Sequence, residues 1–574
     1  MGSPISQGER IRGSLVGLAV GDALGWPQEQ NSKNVDRSVP TPELKFRRWR
    51  RRAGGRFQSF DEEIGSGEYS DDTQLTLCVS RSLLHGDAWY EHLTRVELPT
   101  WTTYQRGGGR SVLRAAHSWM SGTPPWDRQK LDPTEYFATG ANGVAMRVLP
   151  HVLRGLREDD LVAVCRRIAL DGCATHGHAA ALVGALMHAS TLWNALRLEG
   201  TLGYGELLDR LAADSGGWSD ITVVEFPNGW MASRQQSRGM SFEEEWARSV
   251  DEAWRLLGVA QEAMQSGPLA ADEETLGHLG VFDRKVNGSG LVSAVAALFI
   301  ASRAASNPEL GLLDSAFLRS ADSDTVASMT ASILGSVAGT EWMNGLQRAV
   351  QDHGHLQRTA DLLTGAGHER GRVTSPPSRV IKSGLDRWSK SLADVHPDSP
   401  TQLPDGRTAR LHAVDHLTTK SPKASTVRYV LQVDDGQTIF LVKHSRVATP
   451  SEQPLGYRIT HVGVRVRVSS LAAARRFYEE ILGLSPSRTG DTFARYGDTF
   501  ALEVAPNGFA PSLRLSTPGF VVQLETKDVL DLHRALASAG AEVEPLREEK
   551  GRSRFTCRDP DGNLIEVVAP VKPD

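Results

Sequence analysis

The sequence predicts a multidomain protein: an all-α N-terminal domain, a small β-rich module and a C-terminal α+β domain of two βαβββ repeats. Three observations carry this. At 574 residues the chain exceeds what one hydrophobic core supports. Apolar residues recur at three- and four-residue spacing from Gly8 to about Leu363, as in Val326, Met329, Ile333 and Val337. Past residue 404 the pattern changes to β-rich runs bounded by turn residues. The expected boundaries are 1–370 for the helical domain, 371–403 for a linker, 404–455 for the β-rich module and 456–574 for the last domain.

Charge and composition narrow the function classes. A net charge of −5 gives no general attraction to nucleic acid or anionic lipid, so any such contact needs a local patch. The cysteines Cys78, Cys165, Cys173 and Cys557 lack the short paired spacing of a zinc site and read as reduced thiols. The opening MGSPISQGER has no basic stretch followed by an apolar run. Apolar runs such as Ala294 to Ala301 fall far short of the ~20 residues a membrane span needs. A cytoplasmic protein with no membrane partner is expected.

In the first domain, Gly13, Gly17, Gly21 and Gly25 fall on one helix face and predict close packing against another helix. Asp22 lies among them, and Glu29 follows where that helix ends. Ser70-Asp71-Asp72-Thr73 and Asp322-Ser323-Asp324-Thr325 each precede a helical run. Alone, each is an ordinary helix cap with acids favoured by the dipole. Together they make an oxygen-only set suited to a hard cation such as Mg²⁺ or Mn²⁺. Three glycine loops suit a phosphate-bearing ligand through backbone amides. They are Arg106-Gly107-Gly108-Gly109-Arg110, which also offers two guanidiniums, Asn142-Gly143 with Met146-Arg147, and Gly288-Ser289-Gly290. The basic run Lys45 to Arg52 reads as a solvated loop, or as a contact to nucleic acid or nucleotide through Arg47–Arg52.

These residues resemble the ADP-ribosylglycohydrolase family, all-α proteins typified by the dinitrogenase reductase-activating glycohydrolase. The resemblance runs from about Gly8 to Trp342. It rests on Gly21-Asp-Ala-Leu-Gly25 with Glu29, Ser70-Asp71-Asp72-Thr73, Asn142-Gly-x-x-Met146-Arg147, Thr175-His176 and Asp322-x-Asp324-Thr325, in the family's order. It implies that Ser70, Asp71, Asp72, Asp322, Asp324 and Thr325 ligate two Mg²⁺ ions, with Mn²⁺ as a substitute. Gly107, Gly109, Asn142, Gly143, Gly288, Ser289 and Gly290 would line the diphosphate and ribose, with His176 near the distal ribose. The implied reaction is hydrolysis at C1″ of ADP-ribose on an ADP-ribosylated substrate. Asp72 or Glu29 would assist proton transfer, and the sequence leaves open which.

After the linker, with one helix expected around Leu385, Val427 to Val433 and Thr438 to Val442 flank Asp435-Gly436 and predict a hairpin. The pattern strand, helix, short strands then occurs twice, from His461 and from Phe520. With Ile459-Thr-His461-Val-Gly and Asp559-Pro-Asp-Gly-Asn-Leu-Ile-Glu566, this segment resembles the vicinal-oxygen-chelate superfamily of glyoxalases, extradiol dioxygenases and drug-binding resistance proteins. His461, Glu503 and Glu566 match three of that superfamily's four metal positions, and the fourth falls on Val521. A metal-free cleft for a small-molecule ligand or a partner is therefore favoured over a metal site.

The leading expectation is an enzyme that removes ADP-ribose from a protein side chain, nucleic acid or small molecule. The alternatives are an ADP-ribose sensor that has lost hydrolysis and a detoxification protein whose C-terminal domain binds a drug-like ligand. The leaving group and the oligomeric state are not readable from the residues.

Overall fold

In the computed structural model the first helix, α1 (Gln7–Gly25), opens with a capping box. Ser6 accepts from the Glu9 amide, and the Glu9 carboxylate accepts from the Ser6 amide. The structure describes residues 5–446, apart from 30–31, 37–40, 55–58, 201, 237–238, 268–271, 366–377, 398 and 420–423. Beyond these it describes 459–468, 471–475, 485–496, 500–504, 520–538, 542–549, 552–558 and 564–569.

The glycines of α1 meet the helix Ser323–Ala338. Cβ atoms placed on Gly13, Gly17, Gly21 and Gly25 would lie 2.5, 2.4, 2.2 and 2.4 Å from the carbonyl oxygens of Gly335, Ala331, Ala327 and Ser323. Each step of four along α1 is a step of four back along the partner, so the helices run antiparallel at backbone contact. The end of α1 thus meets the start of the other helix, where the Ser323 hydroxyl donates to the Gly25 carbonyl at 3.0 Å. The helix Ala179–Leu196 is long and apolar enough to cross a membrane by composition, but 89% of it is buried within the protein, as a core helix is.

The basic run forms a strand. β1 (Trp49–Ala53) pairs antiparallel with β2 (Phe60–Ile64), setting Arg50, Arg51 and Arg52 opposite Glu63, Glu62 and Asp61. Arg51 binds Glu62 at 3.0 Å, Arg52 binds Asp61, Arg50 binds Asp36 at 2.7 Å and Arg47 binds Glu43 at 2.7 Å. Arg48 lies 3.7 Å from Glu63. Each arginine of the run thus has an acidic neighbour within its own fold.

The expected hairpin forms, but not in a separate module. The remaining strands of this part are β3 (Pro400–Gln402), β4 (Thr408–Thr419), β5 (Ala424–Val433) and β6 (Thr438–Arg446). The sheet order is β1-β2-β4-β5-β6, with β3 beside β4. Leu411, Leu431, Ile439 and Leu441 join the hydrophobic core of the helices. By contacts the chain divides into 1–447 and 448–574, so the segment expected to be linker and module belongs to the first unit. The physical reason is long-range: β2 pairs with β4, and the hairpin turn is buried against helices. The Asp435 carbonyl accepts from His355 Nδ1 at 2.8 Å and from Arg358 at 3.0 Å. Gln437 accepts from Arg81 at 2.9 Å and from Arg407 at 2.8 Å. The helix expected around Leu385 spans Lys382–Ser391.

In the second unit the strands are β7 (Ile459–Val468), β8 (Arg488–Thr489), β9 (Phe493–Tyr496), β10 (Phe500–Val504), β11 (Phe520–Thr526), β12 (Arg547–Glu549), β13 (Arg552–Arg558) and β14 (Leu564–Val568). They form one sheet in the order β12-β13-β14-β11-β7-β10-β9-β8. Helices Leu471–Arg475 and Val529–Ser538 each follow the first strand of a half, giving the βαβββ pattern twice. Within each half the first and last strands are parallel, and the halves join antiparallel through β7 and β11.

Candidate active site

Ser70 caps helix α2 (Asp71–Leu83), accepting from the Asp72 amide at 3.4 Å. What fixes this end of α2 is Asp22 of α1, fully buried. Its carboxylate accepts from the Ser70 amide at 3.0 Å, the Thr73 amide at 3.0 Å and the Thr73 hydroxyl at 2.6 Å. Asp22 is thus a residue of the site, a role that no motif in the sequence marks. The available signal was an acid inside a glycine-faced helix, which only a buried donor set tolerates.

Because α1 also packs on Ser323–Ala338, the second acidic cluster comes to the first. Thr325 Oγ1 donates to Asp72 Oδ2 at 3.3 Å. Asp324 Oδ1 accepts from the Thr325 amide at 2.9 Å. Carboxylate oxygens of Glu29, Asp322 and Asp324 lie within 4.8 Å of one another. Asp72 Oδ1 is buried without a hydrogen-bond partner among the described residues. Burial first, then the charge of Asp22, pushes Asp71 up to about 7 and Asp72 well above the usual carboxylate range. Burial and Glu29 do the same to Asp324. A set of acids that raise one another's pKa, with an unpaired buried oxygen, fits a hard divalent cation: positive charge removes the repulsion and takes the open lone pairs.

The glycine loops close around these acids. The Asn142 amide donates to the Gly288 carbonyl at 2.9 Å, and that of Gly290 to the Gly140 carbonyl at 3.0 Å. Asn142 Nδ2 donates to Asp322 Oδ2 and to Ser293 Oγ, both at 2.9 Å. Gly107, at φ +100°, sits against Asp71, where a Cβ would lie 2.7 Å from Oδ1. Helices Arg110–Met120 and Gly290–Arg303 begin after Gly109 and Ser289 with no side-chain cap, and beyond the Gly290 amide, which is bonded to Gly140, their first turns suit an anion.

Two expectations change in character. The Arg106 guanidinium is not offered to a ligand: it is buried, 2.8 Å from Glu62 and 2.6 Å from Glu68. His176 is 1% exposed and lies beneath Gly143, where a Cβ would come within 3.0 Å of its ring. Burial and the charge of Arg147 push its imidazole down to about 3, so it is neutral. Its Nδ1 meets Thr175 Oγ1 at 2.8 Å. Arg147 ties this corner together, donating to the Gly143 carbonyl at 2.6 Å, to Thr175 Oγ1 at 2.8 Å and to Asp171 at 2.8 Å.

In the second unit, His461 pairs with Glu525 on β11, while Glu503 pairs with Arg467 of β7. Six residues of strand separate His461 from Arg467, roughly 20 Å at ~3.3 Å per residue. The register therefore does not bring His461 and Glu503 to one point. Glu566 pairs with Gln523, two positions along β11 from Val521. Its carboxylate is 3.4 Å from Arg554.

Comparison with known proteins follows the same division. The glyoxalase/bleomycin resistance protein/dioxygenase superfamily matches residues 458–567, and the C-terminal unit carries a domain of that superfamily. Among solved structures, one described as an ADP-ribosylglycohydrolase-related protein complex aligns at 23% identity over 62% of this chain and 98% of its own, with a TM-score of 0.41. A superfamily member from Vibrio splendidus 12B01 aligns at 17% identity over 19% of this chain and 98% of its own, with a TM-score of 0.16. The Mn(II)-bound glyoxalase from Novosphingobium aromaticivorans aligns at 13% identity over 33% of this chain and 60% of its own, with a TM-score of 0.17. No curated protein matches the chain. The ADP-ribosylglycohydrolase family matches residues 3–372, which include the acidic clusters and glycine loops of the first unit, and the chain belongs to that family.

Proposed function

We propose that the first unit is a magnesium-dependent hydrolase that cleaves the bond at C1″ of ADP-ribose and releases it from a modified substrate. The observation that carries this is the cluster of the Glu29, Asp322 and Asp324 carboxylates, joined through Thr325 to Asp72, whose Oδ1 is buried with no hydrogen-bond partner among the described residues. Ser70, Asp71, Asp72, Asp322, Asp324 and Thr325 would hold two Mg²⁺ ions, which supply Lewis-acid polarisation of ribose hydroxyls and water.

The protein's own groups divide the remaining work. The helix starts after Gly109 and Ser289, which no side chain caps, and the close backbone approach at Gly107 and Gly288 hold the diphosphate. Asn142, anchored by Asp322 and Ser293, fixes the loop over the ribose. The Asp72 or the Glu29 carboxylate takes a proton from the attacking water and returns it to the leaving group.

Asp72→Asn and Asp324→Asn test this on ADP-ribosylated arginine, serine, nucleobase and small-molecule substrates, with and without Mg²⁺. Turnover on one class should fall by on the order of 10²–10⁴-fold in each variant. Full activity in either variant refutes the assignment. Tight ADP-ribose binding with no turnover on any class would make the unit a sensor.

A further inference from the structure

The last residue of the glycine face is followed by Trp26, which no motif above uses. Its side chain is fully buried. The ring meets Trp49 edge-on at 5.1 Å, and the guanidiniums of Arg51 and Arg106 lie 5.3 and 5.9 Å from its centre. Both arginines are pinned by Glu62, so the indole is clamped from more than one side. Yet its one polar atom, Nε1, has no hydrogen-bond partner among the described residues. Buried indole N–H groups ordinarily find one.

Gly107 shows what lies beside this nitrogen. A Cβ there would lie 3.5 Å from Trp26 Nε1, 2.7 Å from Asp71 Oδ1 and 3.6 Å from Ser70 Cβ. The indole nitrogen and the Asp71 carboxylate thus both border Gly107, and a side chain at residue 107 would press against the two of them. An indole nitrogen only donates, and an ionised carboxylate only accepts. A group between them must accept from one and donate to the other, as a hydroxyl does. A phosphate oxygen there would face the Asp71 carboxylate with like charge.

We infer that Trp26 is a ligand-binding residue whose indole N–H donates to a hydroxyl of the distal ribose of ADP-ribose, with Asp71 accepting from that hydroxyl. This rests on the reading that ADP-ribose occupies the acidic site with its distal ribose at the carboxylates. Water is the other source of a hydroxyl, and the test separates them.

Trp26→Phe in the full chain keeps an aromatic ring and removes the donor, together with the volume of the indole's second ring. Calorimetric titration with ADP-ribose and with ADP, which lacks the distal ribose, reads the effect in the presence of Mg²⁺. The variant should bind ADP-ribose about tenfold more weakly and ADP as the parent does. Equal weakening for both ligands would mark a loss of packing, and no change for either would leave the N–H serving water or nothing. Both overturn the inference. If the parent chain binds no ADP-ribose at all, it is the underlying reading that fails.

Discussion

Glu62 illustrates how much the site's surroundings depend on single charges. It is 1% exposed, between Arg51 and Arg106 and 3.8 Å from Arg428. Burial raises its pKa, but Arg106 and Arg51 outweigh that and hold it at about 2. A carboxyl depressed in the fold contributes stability that is fully present above its unfolded pKa, near 4.5, and is lost as pH falls toward 2. Glu62→Gln should therefore be less stable than the parent at pH 7 by about 2–3 kcal/mol, with the gap narrowing below pH 4. Urea unfolding at pH 7 and pH 3 measures it, and a gap independent of pH would contradict the ion-pair account. The acidic pairs themselves were legible as local motifs. Asp22, Trp26 and the true use of Arg106 were not, because their partners lie far along the chain: Ser70 and Thr73 for Asp22, Gly107 and Asp71 for Trp26, Glu62 and Glu68 for Arg106.

At the scale of elements, the contact between α1 and Ser323–Ala338 decides where the two acidic clusters meet. Gly21→Ala would set a Cβ 2.2 Å from the Ala327 carbonyl oxygen, a backbone atom that moves only if the helices separate. A loss of about 1–3 kcal/mol or more is expected, seen as a lower thermal unfolding midpoint. Gly8→Ala in the same helix is the control: a Cβ there meets nothing within 4 Å, and helix propensity favours alanine. Equal midpoints for the two variants would rule out the glycine ladder as the device that seats α1. The four-residue spacing announced a close contact but not its partner. The basic run was harder to read, since strand β1 matches its arginines to acids 9 to 13 residues away across a hairpin.

For the whole molecule, the family match ends at residue 372 while the first unit continues to Val447. The strands from Pro400 to Arg446 complete a sheet with β2 and bury Gln437 against Arg81. A chain ending at Val447 should fold, keep Mg²⁺-dependent hydrolysis and melt near the parent's first transition. One ending at residue 377 would expose the Arg81–Glu97 pair and the apolar faces that cover Leu411 and Leu431, and should be insoluble or melt at least ~10 °C lower. Equal melting of the two truncated chains would show that the sheet is dispensable.

The sequence by itself determined the helical class of the first part, the hairpin around Asp435-Gly436, the repeated βαβββ pattern and the acidic pairs, because periodicity, turn chemistry and capping are local properties. Tertiary structure alone decided that Asp22 seats α2, that Thr325 reaches Asp72, that the β-rich segment belongs to the first unit, and that Trp26 and Asp71 both border Gly107. Those outcomes are contacts between distant residues, and no periodicity within either partner encodes them.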